Sequence, residues 1–408
     1  MTKWYKKSII TVYDKREKGE TEMDKKKIGI IGFGLRMGNV IQREFEFFPE
    51  FDVVAIADIN QEPVRERIAR ELHTLDLNKI HFYEDAIEML DNEELDGVFV
   101  ATRCDLHKKF AIEVLKRNIP LFLEKPVVTE LNDYYELKEA VENNTAGGIT
   151  SFPLRITALV DKVKELYESG ILGKLSQIQA YNNVNYGRVY YKSWYRDDSI
   201  SGGLFLQKTT HDIDYIDYIL GKNPVEACAM ESKMIFGGDK PRNLKCEDCP
   251  EYETCYESTK VIKEQAHDDP MGEYCSYGED VGNHDCATII FRYDDGLHAV
   301  YTQNFVARHD AGKRGMRMIG QEATIEFDWN KDEVLIFSHT EKKVERLTVK
   351  PVSGGGHSGG DYALLKDFIA LMNGDQSVNS LKDGLNSAYI CIKVRESAQE
   401  HKFVSLDY

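Results

Sequence analysis

In the stretch GGLFLQKTTHDIDYIDYILG (202–221), Leu204, Gln207, His211, Asp214 and Tyr218 recur at helical spacing. A regular helix would set Gln207, His211 and Asp214 on one face and turn Leu206, Ile213, Ile216 and Leu220 into a core. Histidine titrates near neutrality, so between polar neighbours it can take a hydroxyl proton, with Asp214 fixing its tautomer. A satisfied structural His–Asp pair fits the same pattern.

A second group suits a dinucleotide. The apolar run KIGIIGFG ends in Gly32 and Gly34, and Gly38 completes a G-x-G-x-x-x-G spacing. Such glycines let the backbone turn and approach a pyrophosphate at the positive end of the next helix. A second apolar run, FDVVAIAD, ends in Asp58, 20 residues after Gly38. A carboxylate there accepts from a ribose 2′-hydroxyl and repels a 2′-phosphate, so NAD is expected over NADP. Arg65 and Arg67 are expected on the following helix. A helix cap or turn is the structural alternative for Asp58.

A third group is sulfur. Four of the eight cysteines are isolated, whereas Cys246, Cys249, Cys255 and Cys275 share one stretch. Two thiolates spaced by two residues can grip a metal, and a third and fourth would close a tetrahedral structural zinc site. Free or weakly paired thiols are the alternative.

The elements needed to position these groups follow from periodicity. Leu95–Ala101 and Ile119–Glu124 are expected as strands flanking a helix at His107–Lys116, continuing a strand–helix alternation. The fold class is α/β: an N-terminal Rossmann domain with a doubly wound parallel sheet (25–148), then a C-terminal α+β domain (149–408). Runs at Ala287–Tyr293, Leu297–Phe305, Ala323–Trp329 and Val334–His339 predict a large, mostly antiparallel sheet there. Residues 231–280 form a cysteine-bearing insertion, and 1–24 a polar extension without an apolar leader-like stretch. Near the end, a glycine loop around His357 precedes a helix capped by Asp361 and stopped by Gly374, and a final helix runs from about Leu381 to Gln399.

Composition excludes other classes. Over 408 residues, 42% apolar and 30% charged content describes a globular chain large enough for two domains. No apolar run approaches the roughly 18 residues needed to span a bilayer. A net charge of −17 argues against a nucleic-acid partner. No membrane association and a cytoplasmic location are expected.

Strand LFLE runs into Glu124-Lys125-Pro126. With the glycine turn and the His107 helix, this resembles the Gfo/Idh/MocA oxidoreductase family over nearly all of 26–408. The resemblance implies an NAD(H)-dependent dehydrogenase for a polyhydroxylated, sugar-like substrate, working as a homo-oligomer (dimer or tetramer). It places Lys125 near the nicotinamide and the substrate hydroxyl, as a cation that favours the alkoxide. Phe33, Thr102, His107 and Glu124 join Gly32, Gly34, Asp58 and Lys125 as cofactor-binding residues. Lys125 and His211 are the expected catalytic pair. Arg155 (in SFPLRI), Gln207, Lys208, Asp214 and His357 are assigned to the substrate, with a plain linker as the alternative for His357. The family pattern reads roughly Asp-x-x-x-His-x-x-Asp, and here Gln207 replaces the first aspartate. Glutamine cannot take a proton, so His211 is left as base, with Lys125 beside it. An NAD-dependent glycosidase and a non-catalytic NAD-bound sensor or scaffold are the other functions this pattern allows.

Overall fold

The computed structural model describes residues 25–351 and 356–408; the polar extension 1–24 lies outside them. Six strands form the first sheet: β1 (Lys26–Ile31), β2 (Phe51–Ala57), β3 (His81–Tyr83), β4 (Gly97–Val100), β5 (Leu121–Leu123) and β6 (Gly148–Thr150). All pair in parallel, in the order β3-β2-β1-β4-β5-β6. Strand order reverses between β1 and β4, and ligands of such sheets bind in the crevice beyond the strand ends at that point. Both faces are covered, so the central strands read as unbroken apolar runs; GVFV and LFL are buried throughout.

Phe99 of β4 stacks on Phe122 of β5 at 4.6 Å and meets Phe368 edge-on at 5.1 Å. Phe368 belongs to the helix Gly360–Met372, so an element from beyond residue 148 completes the nucleotide-side core. That helix begins after Gly359, which makes no side-chain cap; Asp361 is not its cap but an ion-pair partner, described below.

The second sheet has nine strands: β7 (Leu175–Asn183), β8 (Glu226–Ser232), β9 (Cys286–Arg292), β10 (His298–Asn304), β11 (Lys313–Gly320), β12 (Ala323–Asp328), β13 (Glu333–Ser338), β14 (Val344–Thr348) and β15 (Val404–Ser405). Their order is β14-β13-β12-β11-β7-β10-β9-β8-β15, antiparallel except for β7 with β10. Alternation decides its faces: Ile178 and Ala180 of β7 and Met316 and Met318 of β11 point into a core shared with Ile213, Ile216 and Ile219. The final helix, Leu381–Glu400, packs into the same core and starts on a Ser380–Asp383 capping box.

Candidate active site

At the end of β1 the chain turns through Gly32, whose φ is +82°. A Cβ there would lie 2.7 Å from the Thr102 Cα, at the end of β4. Only glycine lets the two strand ends approach so closely. Gly34 caps the helix Leu35–Glu44 without a side-chain bond, and a Cβ on it would meet nothing within 4 Å. The space beside this uncapped helix start is therefore open at Gly34, which fits a pyrophosphate.

Asp58 follows β2, and its carboxylate accepts from the main-chain N–H of Phe33 (2.8 Å) and of Asn60 (2.8 Å). It thus stands beside the glycine turn, where a ribose hydroxyl would be met. Both arginines lie on the helix Gln61–Glu71, but Arg67 folds back over the turn, donating to the Gly34 carbonyl at 3.1 Å and to Asn39 at 3.1 Å. The guanidinium fills the space a Cβ on Gly38 would need, so a larger residue there would displace Arg67 from the turn. Arg65 instead lies over the Phe82 ring.

His107 is buried, and its ring nitrogens sit 2.7 Å from the Pro126 carbonyl and 3.1 Å from the Thr102 carbonyl. It fastens the loops after β4 and β5 to each other, and burial lowers its pKa. Glu124 accepts from Arg36 Nε (3.1 Å) and from Ser151 (3.0 Å). Arg36 also forks onto Asp361 at 2.6 and 2.9 Å, and His357 Nδ1 lies 3.0 Å from the same carboxylate. Burial would raise the Asp361 carboxyl, yet Arg36 and His357 hold it below the usual range. Sequence reasoning missed Arg36, although its place directly after the glycine turn was a usable signal. His357 and Ser358 both adopt positive φ (51° and 55°), a strained backbone for such residues.

Lys125 follows β5. Its ammonium donates to the main-chain carbonyl of Gln207 (3.0 Å) and to Gln207 Oε1 (3.3 Å). Burial, with Lys208 nearby, lowers its pKa to about 8. The Gln207 amide in turn donates to the Ser201 carbonyl (2.6 Å) and to Cys104 Sγ (3.2 Å). Gln207 is 1% exposed and committed on every side. It positions the lysine and offers no free group to a substrate, contrary to the expectation for it.

The expected regular helix is also corrected. Phe205–Thr209 form a π-turn before the α-helix Thr210–Leu220. The extra residue puts Gln207 and His211 out of the assumed phase, and such bulges concentrate at functional sites. Asp214 does not touch His211. It takes a bidentate bond from Arg155 (2.6 and 3.1 Å), and Arg155 bridges on to Asp383 at 2.8 Å. Arg155 and Asp214 are thus a buried ion pair behind the site. His211 Nδ1 is buried without a hydrogen-bond partner among the described residues. Its ring lies 5.8 Å from Phe152 and 6.4 Å from His357. Burial first, then Lys125, Arg314 and Lys208, push its pKa well below the ordinary value, so it rests as a neutral imidazole.

Lys208 reaches a short contact with the Tyr186 hydroxyl, and its ammonium lies 4.4 Å from that ring. Tyr186 borders a cavity of about 200 Å³ with Asn182, Arg314, Trp329 and Ser358. Arg314 Nε donates to Asp212 (2.8 Å), which also accepts from Asn182 and Tyr301. Tyr186, Asn182, Asp212 and Arg314 carried no motif in sequence; β7 with the loop after it, β11 and the helix Thr210–Leu220 assemble them. Lys125, Lys208, His211 and His357 thus come together, near the glycine turn.

The four clustered cysteines do not join this group. They border one small cavity of about 10 Å³ on the insertion, with Glu257 and Tyr277. Cys246 Sγ accepts from the buried Lys192 ammonium at 3.2 Å, and burial raises the Cys255 and Cys275 thiols. Among the described residues no group of three or more Cys, His, Asp or Glu is arranged to hold a metal, so the arrangement does not by itself support the zinc site expected from the spacing. No described helix is long and apolar enough to cross a membrane.

Residues 26–147 match the oxidoreductase family with an NAD-binding Rossmann fold, and residues 160–326 match the GFO/IDH/MocA C-terminal domain. A Bacillus subtilis (strain 168) protein carrying an oxidoreductase name, YteT, is 28% identical over 71% of this chain and 75% of its own length. A Thermotoga maritima myo-inositol 2-dehydrogenase is 28% identical over 51% of this chain and 59% of its own length, under two thirds of it. Levoglucosan dehydrogenase, solved with NADH and levoglucosan, superposes with a TM-score of 0.74 at 18% identity, covering 94% of this chain and all of that one. With both halves matched in chain order, the protein belongs to the Gfo/Idh/MocA family of NAD-binding oxidoreductases.

Proposed function

We propose that the protein oxidises a secondary hydroxyl of a sugar, inositol or glycoside, with Lys125 and His211 acting on one substrate oxygen. Lys125 carries the reading: its ammonium is fixed by Gln207 at the head of the same helical segment that presents His211. Gly32, Phe33, Gly34, Asp58 and the Thr102 loop would hold NAD+, which when bound supplies the hydride acceptor. Lys125 orients the hydroxyl and stabilises its developing negative charge, while neutral His211 takes the proton. The inositol and sugar dehydrogenases among the relatives and structural neighbours support the substrate class. NADH formation over a panel of sugars, inositols and glycosides, with glycoside cleavage followed in parallel, tests it. Cleavage without net NADH would favour a redox-neutral glycosidase. NAD binding without turnover on any member would favour a sensor.

A structural zinc on the insertion is a separate proposal, supported by the single cavity that Cys246, Cys249, Cys255 and Cys275 share. Metal binding would take the thiols as thiolates, releasing their protons. Metal analysis after mild dialysis checks this; no zinc, with four alkylatable thiols, overturns it. A homo-oligomer is also proposed, supported by Met230 and Ile290 standing exposed on one face of the nine-stranded sheet, and sizing in solution decides it.

A further inference from the structure

The proposed dehydrogenase reading leaves the charge of the substrate open, and the side chains around the cavity address it. Lys208 is only 6% exposed, yet among the described residues no carboxylate lies within ion-pair distance of its ammonium. Its neighbours are two neutral rings, Tyr186 at 4.4 Å and Tyr190 at 5.7 Å, and the Tyr186 hydroxyl. Burying an ammonium without a counter-charge is unfavourable by several kcal/mol unless another group compensates.

The surroundings do not supply that charge. Asp212 is committed to Arg314, Asn182 and Tyr301. Glu124 and Asp361 are committed to Arg36. Lys125 is a further cation in the same group, held by glutamine oxygens only. Arg314 spends Nε on Asp212, but its second terminal nitrogen is buried without a partner among the described residues. The Tyr186 hydroxyl reports the same field: burial raises its pKa, Lys208 and Arg314 lower it, and the balance falls below the ordinary value. Bound NAD+ would add the positive nicotinamide ring to this group. A neutral polyol leaves the excess of positive charge uncompensated, whereas an anionic one removes it.

We infer that the substrate is a sugar acid, whose carboxylate is received by Lys208, the free Arg314 nitrogen and the Tyr186 hydroxyl while its reacting hydroxyl meets Lys125 and His211. The cavity of about 200 Å³ bordered by Tyr186 and Arg314 is where that carboxylate end is held. A single carboxylate matches one unpaired lysine and one spare guanidinium nitrogen. Charge-assisted bonds of this type are stronger than those a neutral hydroxyl makes. This rests on the proposed dehydrogenase reading, so its test is built on binding as well as turnover.

The experiment compares six-carbon sugars with their uronic and aldonic acids at matched configuration, using the NAD-loaded full chain. Calorimetry gives affinity and NADH formation gives kcat/KM. At least one acid is expected to exceed its neutral parent by tenfold or more in both. In Lys208→Met the acid-to-parent ratio should collapse toward one, and Lys208→Arg should retain most of it. If no acid outbinds its parent, the inference is overturned, whether or not any sugar turns over. Preference for sugar 6-phosphates over every acid also overturns the carboxylate assignment. Failure of turnover alone, with acid-selective binding intact, counts against the dehydrogenase reading and leaves the sugar-acid site standing.

Discussion

Gln207 holds Lys125 twice, through its main-chain carbonyl at 3.0 Å and its side-chain oxygen at 3.3 Å. The place where the family pattern carries an aspartate is therefore occupied by a neutral clamp. An aspartate there would bind the lysine as an ion pair and keep it charged; glutamine leaves its pKa near 8, close to working pH.

The pH profile of turnover should show that difference. With the lysine acting as a cation, rate is lost as pH rises through about 8, where the ammonium deprotonates. His211 is needed neutral and has a depressed pKa, so the acid limb should lie below 6.5. Gln207→Asp raises the lysine pKa and should move the alkaline limb upward. An alkaline limb that stays in place would show that Lys125 does not set it.

Lys125→Ala and His211→Ala should each lose roughly 10²- to 10⁴-fold in kcat, the usual range for removing an acid–base group. NAD(H) affinity, followed by fluorescence titration, should change little. Near-normal turnover in His211→Ala would move the proton acceptor elsewhere.

Selectivity for NAD should run through Asp58. Asp58→Ala removes the ribose acceptor and its repulsion of a 2′-phosphate, so the NAD-to-NADP affinity ratio should fall. It also frees the N–H groups of Phe33 and Asn60, for a stability loss of about 1 kcal/mol. An unmodified protein that binds NADP as well as NAD would contradict the assignment.

Asp214 and Arg155 should behave as structure. Asp214→Ala leaves the buried guanidinium with only the partly exposed Asp383 and should cost up to about 3 kcal/mol in denaturant unfolding. In protein that remains folded, KM should move far less than stability. A large KM change at unaltered stability would return the pair to the substrate.

Local features carried well from sequence to structure. The glycine turn, the buried strands of the first sheet and the strand ending in Glu124-Lys125-Pro126 are encoded within a few residues each. Relationships over long separations were not legible. Arg155 finds Asp214 across 59 residues, and Arg36 finds Asp361 across 325. β11 was missed because KRGMRMIG mixes charge and glycine, and its buried Met316 and Met318 gain meaning only between β7 and β12. The π-turn carried no signal, since FLQKT reads as ordinary helix.

That five-residue turn also constrains how the segment can change. Five residues of the wide turn span about the same rotation as four of ordinary α-helix. Deleting one residue from Phe205–Thr209 would therefore leave Thr210–Leu220 nearly unrotated, with His211 and the Arg155-bound Asp214 close to their places. What such a deletion would disturb is the Gln207 clamp on Lys125, which lies inside the turn. The turn is thus a place where the chain carries an extra residue without turning the helix beyond it.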